Sequence, residues 1–277
     1  MNRPVLRYHG GKWRLAPWVI MHFPRHARYV EPYCGVASVL MRKPRVKQEI
    51  INDMNAAVVN VFRCLRDPDL AATLEAQLRL TPFAHDEYNA SNEPSDDPVE
   101  LARRTFVRSF QSFGATGVIR HTSGFRLDLQ SRRTTEHCWP EIPSFIKYWC
   151  ERLQGVVIES MPAVKLINRV DKANNGATLF YVNPPYVHKS DRDMRNVYEF
   201  EMTEDDHREL SDALHSIKGQ VVLSGYPSEL YKELYGDWQQ VSRPHVANCA
   251  KQTTESLWIS PNALTQPTLD LFAERNE

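Results

Sequence analysis

Leu179-Phe180-Tyr181-Val182-Asn183-Pro184-Pro185-Tyr186 is a β-forming run that ends in four residues of unusual chemistry. Large apolar and aromatic side chains in succession read as a strand buried on both faces, the pattern of a parallel sheet. Two consecutive prolines continue neither a strand ladder nor a helix, so the chain leaves the sheet at Asn183. In open α/β sheets ligands sit beyond the carboxyl ends of the strands, which puts Asn183 and Tyr186 at the lip of a cleft. Each proline also restricts the residue before it, so the turn fixes where the Asn183 amide and the first carbonyls point. Such a turn suits hydrogen bonding to a planar amino group, with Tyr186 free to stack on the ring that bears it. A proline-rich strand exit without a ligand is the other reading of the same tetrapeptide. The rest of the chain decides between them.

Three stretches near the N-terminus bear on that choice. Arg28-Tyr29-Val30-Glu31-Pro32-Tyr33-Cys34-Gly35-Val36-Ala37-Ser38-Val39-Leu40 reads as a short strand, a tight loop on Gly35 and a helix of small and apolar residues. That is the first βα turn of a nucleotide-binding α/β fold. A full GxGxxG is absent, which argues against a dinucleotide and against a nicotinamide oxidoreductase. Gln48-Glu49-Ile50-Ile51-Asn52-Asp53 gives a second strand whose terminal carboxylate falls 18 residues after Gly35, where it can accept hydrogen bonds from ribose hydroxyls. Asp53 can also cap the helix that follows, but Asn52 and Asn55 are available for that. Ahead of both, Arg7-Tyr8-His9-Gly10-Gly11-Lys12 brings paired glycines, which let backbone approach a ligand, and a lysine beside them. Alone, this last signal is weak.

From about Asp67 to about Gly155 the strand-helix alternation breaks. Leu70–Leu80 and Pro98–Phe110 have helical periodicity, and Ser112 to Arg126 is glycine-rich with aromatics and arginines interleaved. The expected organisation is therefore a catalytic domain of residues 1–66 and 155–277, interrupted by a mainly helical recognition subdomain of residues 67–154. Phe145 and Trp149, on the helix leading back, read as core. Between Arg103 and Arg133 stand seven arginines against one acid, Asp128, on a chain of net charge zero. A local basic patch is the footprint of a phosphate-binding surface. The bland reading is a solvated face paired with the acidic stretch Glu93 to Glu100.

Beyond the insertion, strands are expected at Gly155–Glu159, Leu179–Val182 and Gln220–Ser224, with helices at Ala163–Val170 and Thr203–Ile217. Two last β-like runs lie around Trp238 to Val241 and Ser256 to Ile259, and the tail from Asn262 reads as a loosely packed end. At 277 residues the chain suits one large domain with an insertion. Five scattered cysteines without a CxxC pair argue against a disulfide framework and against a zinc site. No signal peptide or long apolar run is evident, so a cytoplasmic protein is expected.

Taken in order, these motifs resemble the Dam-like DNA adenine-N6 methyltransferases, particularly the forms carried by phages and prophages. Tyr8 to Lys12 looks like the family's aromatic-xGGK cofactor motif. Val30 to Gly35 resembles its first-strand motif, Ile51-Asn52-Asp53 its ribose-binding acid, and Asn183-Pro184-Pro185-Tyr186 its catalytic turn. Ser224-Gly225-Tyr226 and Thr254-Glu255-Ser256-Leu257-Trp258 match smaller late signatures. Cofactor motifs first, then the insertion, then the catalytic turn is the family's α arrangement.

The resemblance implies a Rossmann-like sheet, S-adenosylmethionine as cofactor, double-stranded DNA as partner and adenine N6 as acceptor. No metal is implied, and a monomer or weak dimer is expected. Asn183, Pro184 and Tyr186 would be catalytic. Tyr8, Lys12, Glu31, Tyr33, Gly35, Asp53 and Asn183 would hold the cofactor, and Arg108, Arg120 and Arg126 would contact DNA. Two departures stand out. The family usually has Asp where this chain has Asn183, although an amide oxygen accepts the same hydrogen bond. An acid expected after the third strand, to meet the cofactor's adenine amino group, is replaced by Pro162, with Glu159 as a substitute. A cytosine-C5 enzyme needs a nucleophilic cysteine after proline, and no Pro-Cys pair exists. A cytosine-N4 or RNA amino-methyltransferase shares the catalytic turn, and a DNA-binding regulator with a decayed site is the reading from another class.

Overall fold

The computed structural model describes residues 3–115, 117–118, 124–127, 135–173, 176–186, 201–246 and 252–265. The strands in chain order are β1 (Arg28–Glu31), β2 (Gln48–Asn52), β3 (Val156–Glu159), β4 (Thr178–Val182), β5 (Gln220–Gly225), β6 (Gln239–Val246) and β7 (Gln252–Ile259). They form one seven-stranded sheet of order β3-β2-β1-β4-β5-β7-β6. The first five in that order run parallel, β7 pairs antiparallel with β5, and β6 pairs antiparallel with β7. Strand order reverses direction between β1 and β4, which pair Tyr29 with Leu179 and Val30 with Phe180. That reversal opens the crevice in which ligands of such sheets bind.

The run that reads as a buried strand is one: all five residues of β4 are buried. Alternate side chains feed two cores. Leu179 and Tyr181 join an apolar cluster on one face, with Tyr29 and Ile51. Phe180 and Val182 join the cluster on the other face, with Val30 and Leu223.

Helices cover both faces. The first two are α1 (Ala16–Ile20) and α2 (Ala56–Arg66), followed by α3 (Pro68–Leu80), α4 (His85–Ala90), α5 (Pro98–Gln111), α6 (Thr135–Cys138) and α7 (Ile146–Leu153). A 3-10 stretch, Trp139–Phe145, leads into α7. Beyond β3 come α8 (Ala163–Asp171), α9 (Glu204–Ser216), α10 (Glu229–Leu234) and the short α11 (Pro261–Leu264). Helix starts follow local chemistry: Asn55, Asp67, Asp97 and Ser228 each accept a backbone N–H at the start of α2, α3, α5 and α10. Thr203 and Asp206 form a reciprocal capping box on α9.

The helices α3 to α7 do not stand apart from the sheet. Leu74, Leu78, Phe106 and Trp149 share one apolar cluster with Val58 and Phe62 of α2 and with Ile51 of β2. Trp149 is fully buried, and the Phe145 ring stacks on it at 5.9 Å. The end of this segment is fastened by charge. Arg152 donates to both oxygens of Glu49 at 2.6 and 3.1 Å and to the Leu40 carbonyl at 2.6 Å, and Lys43 donates to Glu49 at 2.7 Å.

Two expectations fail locally. No α-helix follows Gly35; the chain from 35 to 42 is a series of turns. Gly35 and Ala37 both have φ of +48°, and left-handed backbone at two of three positions cannot belong to a right-handed helix. The start of the tail is also docked rather than loose. Ala263 is buried, and the Ser260 amide donates to the Val221 carbonyl at 3.0 Å while its hydroxyl accepts from the Val221 amide at 2.9 Å.

Candidate active site

A cavity of about 320 Å³ lies at the carboxyl ends of the parallel strands. Tyr8, Lys12, Glu31, Tyr33, Gly35, Asp53 and Asn183, drawn from four separate stretches of sequence, all line it, and so does Pro184. The sheet explains the convergence: Glu31 ends β1, Asp53 follows β2, and Asn183 follows β4.

Glu31 is 2% exposed, and its Oε1 accepts from the Tyr29 hydroxyl at 2.6 Å and the Leu40 amide at 2.7 Å. Burial pushes its pKa up to about 7 against the pull of those two hydrogen bonds. Asp53 ties two loops together, accepting from the Gly35 amide at 2.8 Å and the Asn55 amide at 2.9 Å. Asn55, not Asp53, caps α2, through the Val58 amide at 3.0 Å. At Gly35 a side chain is disfavoured on two counts. Its φ is left-handed, and a Cβ there would stand 3.3 Å from the Tyr8 ring. Burial pushes the Tyr33 phenol above its ordinary pKa.

Asn52, which the sequence offered as a helix cap, braces the floor instead. Its amide donates to the carbonyls of Pro32 and Met161 at 2.8 and 2.9 Å and accepts from the Met161 amide at 3.0 Å. One side chain thereby locks the loop after β1 to the loop after β3. Its only signal in the sequence is a polar residue at the end of a buried strand.

At the far end, Pro162, Ala163 and Val164 line the cavity. Glu159 does not take the place of the missing acid: it is bonded to Arg169 and is absent from the cavity wall. Its position explains this, since β3 is the outermost strand and Glu159 is its last residue. Three further acids, Glu201, Asp206 and Glu209, do line the cavity.

Behind Asn183 lies a second polar group, and it holds two residues that the late signatures contained without a role. Glu255 of β7 is 1% exposed. Its Oε1 accepts from the hydroxyls of Tyr186 and Ser224, each at 2.6 Å. Lys12 stands 3.2 and 3.4 Å from the two Glu255 oxygens and donates to the Tyr186 hydroxyl oxygen. The Tyr186 hydroxyl also lies 3.2 Å from Asn183 Oδ1, and its ring meets Tyr226 edge-on with centroids 4.5 Å apart. Burial pulls the Lys12 ammonium below its usual pKa while Glu255 holds it up. Burial first, then the charge of Glu255, raises the Tyr186 phenol well above its usual value.

The arginine-rich window is divided. Arg103 bonds Glu100 at 2.6 and 2.7 Å and also reaches Glu87 and Thr81; Arg104 bonds Glu100 at 2.6 Å and the Glu93 carbonyl at 2.7 Å. For these two the pairing with the acidic stretch prevails. Arg108, expected to contact DNA, is 5% exposed, and its guanidinium donates to the Ser91 carbonyl and, at 3.3 Å, to Thr105. It is a buried clamp inside the insertion, because it falls on the core side of α5 between Val107 and Ser109, both fully buried. Arg126 is half-buried on a ribbon where Ser112 bridges Phe125 and the Arg126 amide donates to the Gln111 carbonyl at 2.8 Å. Arg120 lies outside the described residues.

Among the described residues, no group of three or more His, Cys, Asp or Glu could hold a metal ion, and Cys34, Cys64, Cys138 and Cys150 are free thiols. No helix among them is long and apolar enough to cross a membrane.

A parallel sheet of this order with one antiparallel strand between the last two, and an Asn-Pro-Pro-Tyr turn at its switch point, defines a methyltransferase of the Rossmann-like class. Residues 8–249 match the D12 class N6 adenine-specific DNA methyltransferases, and the chain belongs to that family. It is an adenine-specific DNA methyltransferase, and family and fold together imply S-adenosylmethionine as methyl donor. The DNA adenine methylase of Salmonella typhi is 22% identical over 276 residues, covering 97% of this chain and 93% of that protein. The DNA adenine methylase of Haemophilus influenzae is 23% identical over 252 residues, covering 84% and 83%. A solved rRNA methyltransferase, aviRa from Streptomyces viridochromogenes, is 14% identical over 96% of this chain and 93% of that one, with a TM-score of 0.42.

Proposed function

We propose that the cavity binds S-adenosylmethionine and that Asn183, Pro184 and Tyr186 present a flipped adenine to it from double-stranded DNA. What supports this most is the convergence of seven residues from four stretches on one wall-to-wall cavity beside the Asn-Pro-Pro-Tyr turn. The residues fit the group. Asp53, on the cavity wall at the end of β2, is a carboxylate of the kind that accepts from ribose hydroxyls, and Glu31 offers a second acid. Pro162, Ala163 and Val164 give an apolar wall for a planar base. The volume lies within the range of small-molecule sites.

When bound, the cofactor supplies a methyl group activated by its sulfonium. The chain's own task is to make a poor nucleophile attack. An adenine amino group has its lone pair delocalised into the ring. In the proposed pose its two N–H groups donate to Asn183 Oδ1 and to the Pro184 carbonyl, which favours a pyramidal nitrogen with its lone pair directed outward. No protein nucleophile is needed, because transfer is direct. Tyr186 forms the stacking wall for a base taken out of the duplex. Arg126, beside the Ser112–Phe125 bridge, approaches the DNA backbone, and residues 67–154 act as the recognition segment.

The test is to purify the protein, titrate it with S-adenosylmethionine by calorimetry, and quantify modified nucleosides in DNA after reaction. N6-methyladenine is expected, with no N4-methylcytosine. Asn183→Ala should lower the rate at saturating cofactor by ~10²–10³-fold, the cost of losing one transition-state acceptor. Asp53→Ala should lose cofactor binding. Wild-type protein that makes N4-methylcytosine, or that binds no cofactor, overturns the reading.

A further inference from the structure

We propose that Glu255 is a positioning residue for methyl transfer: through Ser224 and Lys12 it locks the Tyr186 hydroxyl, and so keeps Asn183 Oδ1 open to the acceptor amine. The inference rests on the reading of the site above and adds a residue from the opposite end of the chain.

The argument is one of hydrogen counting. A tyrosine hydroxyl has one hydrogen to donate. Two acceptors lie within its reach, Glu255 Oε1 at 2.6 Å and Asn183 Oδ1 at 3.2 Å. A carboxylate at the shorter distance is the stronger acceptor, so the hydrogen goes to Glu255. Lys12 then donates into the hydroxyl's lone pair and caps the other side. Asn183 Oδ1 is left without that donor and can accept an N–H from the base.

If Glu255 lost its charge, its oxygen would become a weaker acceptor, and the hydroxyl hydrogen would be shared with Asn183 Oδ1, where it competes with the amine. The buried ammonium of Lys12, also 4.5 Å from the centre of the Tyr186 ring, would lose its counter-charge. Ser224 completes the geometry by donating to the same carboxylate oxygen. Antiparallel pairing sets β7 beside β5, with Leu257 opposite Ser224 and Ser256 opposite Gly225, and this brings Glu255 to the crevice.

The experiment compares wild type with Glu255→Gln, Glu255→Asp, Tyr186→Phe and the Glu255→Gln/Tyr186→Phe double variant. Single-turnover methyl transfer, cofactor affinity by calorimetry and tyrosine Cζ NMR are measured on each. Glu255→Gln should slow single-turnover transfer at saturating cofactor by ~10–100-fold, the scale of a misplaced reacting group. Glu255→Asp should recover part of the rate. The double variant should be faster than Glu255→Gln, because Tyr186→Phe takes away the hydrogen that competes for Asn183 Oδ1. In the NMR titration Tyr186, identified from Tyr186→Phe, should ionise at lower pH in Glu255→Gln. Losses that multiply in the double variant, or a wild-type rate in Glu255→Gln, overturn the proposal. If Glu255→Gln fails to fold, Tyr186→Phe tests the count by itself: it keeps the ring and removes the competing hydrogen, so a loss as large as that of Asn183→Ala overturns the proposal. Wild-type protein that transfers no methyl group refutes the reading of the site, while the Tyr186 titration still decides whether Glu255 governs that hydroxyl.

Discussion

Replacing Glu31 by Gln should make the protein more stable at alkaline pH and no more stable at acid pH. Burial raises the Glu31 carboxyl from 4.5 to about 7, outweighing the Tyr29 hydroxyl, the Leu40 amide and the charges of Lys43 and Arg152, which all favour the ionised form. Below pH 4.5 the group is protonated in both folded and unfolded chains and carries no penalty. As pH rises from there to about 7, the unfolded chain releases the proton and the folded one keeps it, so stability falls; above about 7 the loss is complete. At about 1.4 kcal/mol for each tenfold in proton affinity, the gap amounts to about 3 kcal/mol. His26 and His207, pushed by burial to about 4, work in the opposite direction, but they are common to both proteins and cancel in the difference. Gln keeps an oxygen for the two donors and has no charge to bury. Urea unfolding of both proteins from pH 4 to 8 gives the difference directly. A curve that grows from near zero to about 3 kcal/mol in favour of Glu31→Gln is expected. A flat difference would show that the site ionises Glu31 freely, and the argument from burial would be wrong.

Gly35→Ala should cost about 1–2 kcal/mol in stability for its left-handed backbone. It should also weaken cofactor binding by displacing the Tyr8 ring, so unchanged calorimetric affinity would remove Tyr8 from the cofactor site. Arg152→Leu leaves buried Glu49 with Lys43 alone and should destabilise the fold by about 3–5 kcal/mol, whereas a loss below about 1 kcal/mol in urea unfolding would refute the clamp. Burial alone would raise the Glu49 carboxyl, yet Arg152 and Lys43 hold it below its usual pKa, so the penalty should shrink as pH falls into the acid range. Arg126→Ala should weaken binding to all duplexes alike and reduce the salt dependence of affinity, while Arg108→Met should leave that salt slope intact and lower stability instead. Equal salt slopes for wild type and Arg126→Ala would place the phosphate contacts elsewhere.

What the sequence revealed and what it hid divide along one physical line. The β4 run, the acid after β2 and the Gly-Gly-Lys turn were legible because each is a contiguous stretch whose periodicity or composition dictates its own local structure. The strand order then brought their ends together, and the crevice followed. The backbone after Gly35 was not legible, because a left-handed Ala37 follows from packing and has no compositional mark. Counting arginines overstated the basic surface for a related reason: charge is summed along a chain, but exposure and pairing are set by helix geometry. Glu100 lies three and four residues before Arg103 and Arg104, on the same helical face, so this part of the neutralisation was readable from helical spacing. Burial of Arg108 depended on which face of α5 met the core. Glu255 was the hardest. Its partner Lys12 is 243 residues away, and nothing near either residue announces the other. A buried lysine needs a counter-charge, so a lysine forced against a cleft by paired glycines already implied an acid somewhere in the chain. Only the antiparallel insertion of β7 beside β5 identifies which one.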